Sequence, residues 1–327
     1  MVSRHEDVGQ SSPTGGHAPQ SWLEDTISHD PALDPVLPQI RRLAASDAPV
    51  LIIGEPGSGR ELVARAIHNL SGRAAQPFVL LDCASLSEPL IDAEMLGVDG
   101  TFGGKPQRKI GVVEQAGHGT ALLAEVGELP SRLQDALLRV LERHELVRLN
   151  SDEPISVAAR AFATTSVDLR ERVAAGLFRD DLHVRLATEV LSLPPLRERA
   201  GDVPVLARHF VTQLGRATRD FAPDAEALLR DYPWPGNLRE LREVVELAAL
   251  HARGDRIAAD DLPDRLRTTS EKAQLPSLRD VEMRHIERVL QEARGNQRRA
   301  SRILGISRWS LSRRLRKYGM HARGGEE

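Results

Sequence analysis

"GTALLAEVGELP", Gly119 to Pro130, is the stretch that decides the fold. Its centre, Thr120 to Ala124, is a short run of small and apolar residues closed by an acid, Glu125. A run this short suits a strand covered on both faces, the kind found in parallel sheets. Comparable runs occur in "PVLIIG", "PFVLLDC" and "VAARAFATTS". Stretches with helical periodicity lie between them, among them "LPSRLQDALLRVLERHELVRL" from Leu129 to Leu149. Strands alternating with helices predict an α/β layer fold with a parallel sheet. From Asp202 to Leu266 the pattern turns helical, broken by "YPWPGN", and after a hydrophilic "RTTSEKAQLP" a last helical segment runs from Leu278 to about Tyr318. Ahead of the first periodic segment, Asp30 is placed to cap a helix with Pro31 at its first position.

Bulk composition narrows the class. The chain has 327 residues, 41% hydrophobic and 28% charged, with a net charge of -3. That is an ordinary globular composition, long enough for more than one domain. One cysteine, Cys83, excludes an intramolecular disulfide, and no Cys/His spacing of the zinc kind accompanies it. No apolar run reaches membrane-span length and no secretory signal opens the chain, so a cytoplasmic protein that avoids membranes is expected. His68, His183 and His209 read as helix-surface or packing residues, and no metal site is expected. The charges are unevenly placed: nine basic residues and no Asp or Glu lie between Arg294 and Lys317. A basic end on a mildly acidic body is the footprint of a nucleic-acid-binding module.

The loop "GEPGSGRE" carries the first chemistry. Gly54, Gly57 and Gly59 let the backbone turn its N–H groups toward a phosphate chain, and the helix that follows offers its positive end to the same anion. The spacing is that of the phosphate loop G-x-x-x-x-G-K-[ST], with Arg60 at the lysine position and Glu61 at the hydroxyl position. Arginine keeps the charge but replaces a compact ammonium with a planar fork. Taken alone, this loop reads better as a ligand-free strand-to-helix turn.

Four longer segments change that reading. "VLIIGEPGSGRELVARAIH", "GVVEQAGHGTALLAEVGELPSRLQDALLRVLE", "LFRDDLHVRLATEVLSLPPLRERAGDVPVLARHF" and "YPWPGNLRELREVVELA" resemble, in order and spacing, the AAA+ domain of bacterial enhancer-binding proteins. These are the sigma-54-dependent transcription regulators related to nitrogen regulatory protein C. The resemblance implies an AAA+ α/β subdomain over 23–200 and a helical lid over 201–266, after a disordered 1–22 tail. A 267–277 linker and a 278–320 Fis-type helix-turn-helix would follow. It implies ATP with Mg²⁺ as cofactor, held by Gly54, Glu55, Pro56, Gly57, Ser58, Gly59, Arg60 and Glu61, with Arg239 sensing the γ-phosphate from the lid. Glu125 matches the acid that polarises the attacking water, and Arg179 and Arg185 match arginine fingers that reach into a neighbouring subunit's site.

The departures lie in the catalytic shell. Ala124 stands where the family has the aspartate that organises Mg²⁺, and Arg60 where it has lysine. Ser166, beside Thr165, replaces the sensor asparagine, and Asp82 replaces the asparagine that restrains the catalytic glutamate. Phosphoryl transfer depends on positioning and on charge neutralisation, so slow or absent hydrolysis is expected. The loop that grips sigma-54 in the family is matched by "GTFGGK", which keeps Phe102 but has Gly103 at the contacting threonine and Lys105 at the last alanine. Engagement of sigma-54 is therefore expected to be impaired. The competing expectation is a working ATPase that remodels sigma-54 polymerase, with Glu125 or Asp82 covering for Ala124. A third is a nucleotide-sensing scaffold without DNA preference.

The C-terminal segment "LRDVEMRHIERVLQEARGNQRRASRILGISRWSLSRRLRKYGM" reads as a helix with a stripe at Val281, Ile286, Val289 and Leu290, then a helix-turn-helix. Asn296 opens the first short helix, Gly305 makes the turn and Ser307 caps the last helix. Ala300, Leu304, Ile306, Leu311 and Leu315 would join the two, leaving Arg308, Trp309, Ser310, Ser312 and Arg313 for the major groove. The segment resembles the Fis-type helix-turn-helix of the same regulators, which implies double-stranded DNA as partner, RNA polymerase holoenzyme as a further one, and a homo-oligomer. That oligomer would be a dimer through the DNA-binding segment or a ring. Too few residues precede the AAA+ part for a sensory receiver domain, so control is expected from expression, a separate partner or nucleotide level.

Overall fold

The computed structural model describes residues 33, 35–102, 105–214, 220–252, 254–267, 285–286, 288–290, 293 and 296–317. Asp30, Pro31, Val281 and the linker over 268–277 lie outside the described residues. The chain forms two compact units, Met1–Pro263 and Asp264–Glu327.

In the first unit the short runs form a five-stranded parallel sheet. Its strands are β1 (Val50–Ile53), β2 (Phe78–Asp82), β5 (Thr120–Ala124), β8 (Arg160–Thr165) and β9 (Glu189–Ser192), in the spatial order β2-β5-β8-β1-β9. Alternation within each run explains why it is apolar throughout. Leu51, Leu123 and Ala163 face one core cluster, whereas Val50, Ile52, Leu122 and Phe162 face the other. A period of two thus feeds two layers of helices. One layer holds α1 (Val36–Ala44) and α2 (Arg60–Leu70); the other holds α3 (Glu88–Leu96), α4 (Val112–Gln115), α5 (Ser131–Arg143), α6 (Leu169–Ala174) and α7 (Asp180–Leu186).

The helix read from "LPSRLQDALLRVLERHELVRL" is shorter than its apolar pattern. Leu133, Leu137, Val140 and Leu141 form the buried stripe of α5, but His144 adopts φ 56 and ends the helix. The next residues form β6 (Glu145–Val147), antiparallel to β7 (Pro154–Ser156). A second hairpin pairs β3 (Val98–Phe102) with β4 (Lys105–Lys109) in the "GTFGGK" region. Gly103 and Gly104 lie outside the described residues.

The helical stretch from Asp202 is built from α8 (Asp202–Gln213), α9 (Pro223–Asp231) and α10 (Asn237–His251). The two-residue strands β10 (Asp220–Phe221), between α8 and α9, and β11 (Arg256–Ile257), after α10, pair in parallel. Trp234, from the "YPWPGN" break, is fully buried and donates its indole N–H to Leu229 O at 2.8 Å. The C-terminal unit contains α11 (Gln297–Ile303) and α12 (Arg308–Lys317). Ile286, Val289, Ala293, Ala300, Leu311 and Leu315 form its core, with Leu290, Leu304 and Ile306 packed against it.

Phe162, fully buried on the central strand β8, tests the two-layer core. Phe162→Ala should cost about 3–5 kcal/mol in urea unfolding, because the rigid sheet cannot collapse onto the space left behind.

Candidate functional site

Because every strand of the sheet is parallel, their carboxyl ends share one edge, and β1 sits between β8 and β9, where the strand order switches. Ligands of open α/β sheets bind at such a point. There the loop from Gly54 leads from β1 into α2, and Glu125 follows β5 in the left-handed region at φ 52. Arg60, Glu61, Asp82, Ala124, Glu125 and the lid residue Arg239 line one cleft of about 460 Å³. The segments thus converge as the sequence predicts.

The side chains inside the cleft are arranged less predictably. Arg60 is only 8% exposed, and its Nη2 forms an ion pair with Glu125 Oε1. Glu125 Oε2 accepts from the Ser166 amide at 3.0 Å and from the Ser166 hydroxyl at 2.8 Å. Both carboxylate oxygens are therefore occupied. Burial pushes the Glu125 carboxyl up, but the Arg60 guanidinium and the two Ser166 donors outweigh it and hold it below the ordinary value. Thr165 is buried on β8, its hydroxyl donating to Val167 O at 2.9 Å. Asp82 is the register partner of Ala124 on the adjacent strand, and its Oδ1 accepts from the Ala84 amide at 3.0 Å. Cys83, next to it, is a buried thiol pushed up to about 12 by burial, then by the Asp82 and Glu125 charges, which makes it a poor nucleophile.

Two buried polar atoms at this edge, Ser58 Oγ and Arg60 Nη1, have no hydrogen-bond partner. A buried donor without a partner is costly, the more so when charged. The loop's geometry suits a phosphate chain that would satisfy such donors. Protein oxygens for a metal are sparser, since Ala124 offers none and Glu61 is exposed. Among the described residues no group of three or more His, Cys, Asp or Glu side chains is placed to hold a metal ion.

The turn at Arg197 and Arg199 and the start of α10 grip the phosphate loop directly. Arg197 donates to both oxygens of Glu55, at 2.7 and 2.8 Å, and this pairing, with help from Asn237, holds the Glu55 carboxyl below its ordinary value. Asn237 is fully buried; its Nδ2 donates to Glu55 and to Pro56 O, while its Oδ1 accepts from the Leu196 amide at 2.7 Å. The Leu238 amide donates to Gly57 O at 2.9 Å, and Arg199 Nη2 donates to Ser58 O at 2.6 Å. Gly57 is at φ +74, where a Cβ would sit 2.4 Å from Gly236 O, so only glycine permits this approach. Asn237, Arg197 and Arg199 lie within quoted motifs, yet nothing in their spacing revealed this latch.

Arg179 and Arg185 do not line the cleft. Arg179 is paired within its own chain, to Asp135 and, through Nε at 2.9 Å and Nη2 at 2.6 Å, to Asp181. Arg185 donates to Leu141 O at 3.3 Å. Of the three histidines, His68 is buried against the Thr120 hydroxyl at 2.9 Å, and His183 and His209 are half-buried. In the C-terminal unit Asn296 caps α11 through the Arg298 and Arg299 amides, and Gly305 turns at φ +65. The Ser310 amide donates to Ser307 Oγ at 3.1 Å. Trp309 and Arg313 are exposed, and Ser310 and Ser312 half-buried; the Arg308 side chain lies outside the described residues.

Comparison with known proteins accounts for this combination. The family model of the sigma-54 interaction domain matches residues 26–192, that of an AAA+ ATPase lid domain matches 197–278, and that of the Fis family of bacterial regulatory proteins matches 277–318. The chain belongs to the sigma-54 interaction-domain family. Regulatory protein AtoC of Escherichia coli is 39% identical over 311 residues, covering 90% of this chain and 68% of AtoC. Transcriptional regulatory protein ZraR of Salmonella typhimurium is 40% identical over 298 residues, covering 88% and 68%. NtrX of Brucella abortus, solved in complex with ATP, superposes with a TM-score of 0.66 at 31% identity, covering 92% of this chain and 71% of NtrX. This sigma-54 family member is therefore a DNA-binding transcription regulator with an AAA+ nucleotide-binding domain. Among its described residues no helix is long and apolar enough to cross a membrane.

The Arg60–Glu125 pair makes acid stability specific. The folded carboxyl titrates below its ordinary 4.5, so its contribution is complete above about pH 4.5 and is lost as pH falls through the lowered value. Glu125→Gln should destabilise the nucleotide-free protein by about 1–3 kcal/mol at pH 7, since the buried guanidinium loses its counter-ion. Urea midpoints of the two proteins should converge as the pH drops below 4.5; an unchanged gap would count against the pairing.

Proposed function

We propose that this regulator binds promoter DNA through α12 and holds ATP in the cleft, but hydrolyses it slowly or not at all. The carrying observation is that both oxygens of Glu125 are engaged, one by Arg60 and the other by Ser166. A carboxylate that polarises water needs a free oxygen and a proton affinity matched to the task. Here both are reduced. Bound Mg²⁺·ATP would supply the transferable phosphoryl group, with the metal carried mainly by phosphate oxygens and water, as Mg²⁺ commonly is.

In this reading the loop Gly54 to Glu61 cradles the phosphates, with Glu55 and Pro56 also anchoring the lid. Arg60 offers its unpaired Nη1 to the phosphates while Nη2 keeps Glu125, and Arg239 meets the γ-phosphate from α10. Arg179 and Arg185 serve as trans-acting fingers in an oligomer, which requires Arg179 to exchange Asp135 and Asp181 for a neighbour's nucleotide. Arg308, Trp309, Ser310, Ser312 and Arg313 contact DNA. The segments 1–22, 23–200, 201–266, 267–277 and 278–320 act as tail, α/β subdomain, lid, linker and DNA-binding domain of a cytoplasmic regulator. Weak engagement of sigma-54 polymerase follows from the Gly103 and Lys105 substitutions.

One observation favours a second reading, an active sigma-54-dependent ATPase. Asp82 lies in register with Ala124 and lines the same cleft, so a carboxylate stands one strand away.

Steady-state hydrolysis and nucleotide titration of the natural protein, beside an Ala124→Asp, Arg60→Lys double variant, separate the two. We expect binding without sustained turnover in the natural protein and at least a tenfold gain in the variant, the scale of one restored electrostatic contact. Sustained Mg²⁺-dependent turnover by the natural protein would establish the second reading instead. DNA binding should be indifferent to these substitutions, whereas Arg308→Ala with Arg313→Ala should weaken a specific complex by about 1–3 kcal/mol per base contact in a mobility-shift titration.

A further inference from the structure

Trp309 is 68% exposed on a helix whose other face is fully used. Leu311 and Leu315, one turn apart, are buried in the core of the unit with Ala300. Trp309 lies about 200° around the helix from Leu311 and shares a face with Arg313, four residues on. The Arg313 guanidinium sits 5.7 Å from the centre of the indole ring. Within the described residues this is the only ring or cation contact the indole makes, and it leaves most of the ring in water. Helix α12 starts one residue earlier, at Arg308, and Ser307 fixes that start by accepting from the Ser310 amide. A large flat apolar group is thus presented at the amino-terminal end of the helix, the end from which recognition helices contact base edges.

What covers it is set by charge. With nine basic residues and no acid between Arg294 and Lys317, a second copy of this surface would be repelled, whereas a polyanion is attracted. The major groove of DNA is a polyanionic surface, and its prominent apolar feature is the thymine 5-methyl group. We infer that Trp309 is a specificity-determining residue that packs its indole against a thymine methyl, with Arg313 stacked on the ring to hold its orientation. This rests on the DNA-binding reading of α12 and adds the base feature that it reads. The expected target therefore has a thymine at a fixed position in each half-site, recognised by its methyl group rather than by hydrogen bonding.

Replacing thymine by deoxyuridine removes that methyl and leaves the pairing edge intact, so the test needs no change to the protein. A binding site is first selected from a random duplex pool with the full chain. Each thymine is then replaced in turn by deoxyuridine, and affinities are measured for the natural protein, Trp309→Phe and Trp309→Ala. We expect one thymine per half-site whose replacement weakens the natural protein roughly fourfold, the scale of one buried methyl. The penalty should persist in part with Phe and vanish with Ala. Equal affinity for thymine and deoxyuridine at every position overturns the assignment, as does a penalty unchanged in Trp309→Ala. If the natural protein selects no sequence at all, the DNA-binding reading falls as well, and this separates its failure from that of the Trp309 assignment.

Discussion

A buried guanidinium needs a carboxylate, and the carboxyl edge of the sheet is organised around that requirement. Arg60 enters the first turn of α2 beside the strand ends, where β5 contributes Ala124 rather than an acid. The nearest acid along that strand is Glu125, and the longer arginine fork reaches it. Lysine could not hold the site in the same way, because one ammonium cannot match the fork's spread of donors. On the proposed reading the departures at 60 and 124 are coupled: with no acid at 124, the buried guanidinium pairs with Glu125, the carboxylate that would activate water.

The same edge explains how a nucleotide in the cleft would be felt elsewhere. Glu55 and Pro56 receive Asn237 and Arg197, Gly57 receives the Leu238 amide, and Ser58 receives Arg199. Four consecutive residues of the loop are thus fastened to the turn at Arg197 and Arg199 and to the start of α10 by backbone or charged contacts. Arg239 follows Leu238 on α10, so any shift of the loop toward a phosphate is transmitted to that helix through its first turn. This linkage does not depend on hydrolysis. A protein that binds without turning over could still use it, since a ligand shifts an equilibrium by differential affinity alone.

Much of the architecture was legible because short apolar runs have few stable destinations. Thr120 to Ala124 and Arg160 to Thr165 became central strands, and the caps at Asn296 and Ser307 formed through local hydrogen bonds. Local rules failed where backbone conformation or distance decided. Leu146 and Val147 continue the apolar pattern of α5, but the left-handed turn at His144 redirects them into a hairpin. The edge strand β9 was hidden because Glu189 and Ser192 dilute its run. Arg60 and Glu125 are 65 residues apart, and Glu55 and Asn237 are 182 apart. Spacing could bring these segments to one cleft, but the choice of partner within it is made by side-chain reach.

That choice bears on what each substitution costs. Replacing a metal-organising aspartate by alanine removes charge from a site built for a polyanion, so phosphate binding need not suffer and can improve. Replacing lysine by arginine keeps the positive charge and splits its donors: Nη2 pairs with Glu125, while Nη1 is buried without a partner. On the proposed reading a phosphate meets Nη1, and Glu125 stays engaged by Nη2 and Ser166. The ion pair and a phosphate contact can then coexist on one guanidinium, so occupancy of the cleft does not by itself free the carboxylate. On that reading the arginine and the missing aspartate act together to separate occupancy from turnover: Glu125 stays engaged, and no side-chain oxygen at position 124 orients the metal's shell toward the water it would activate.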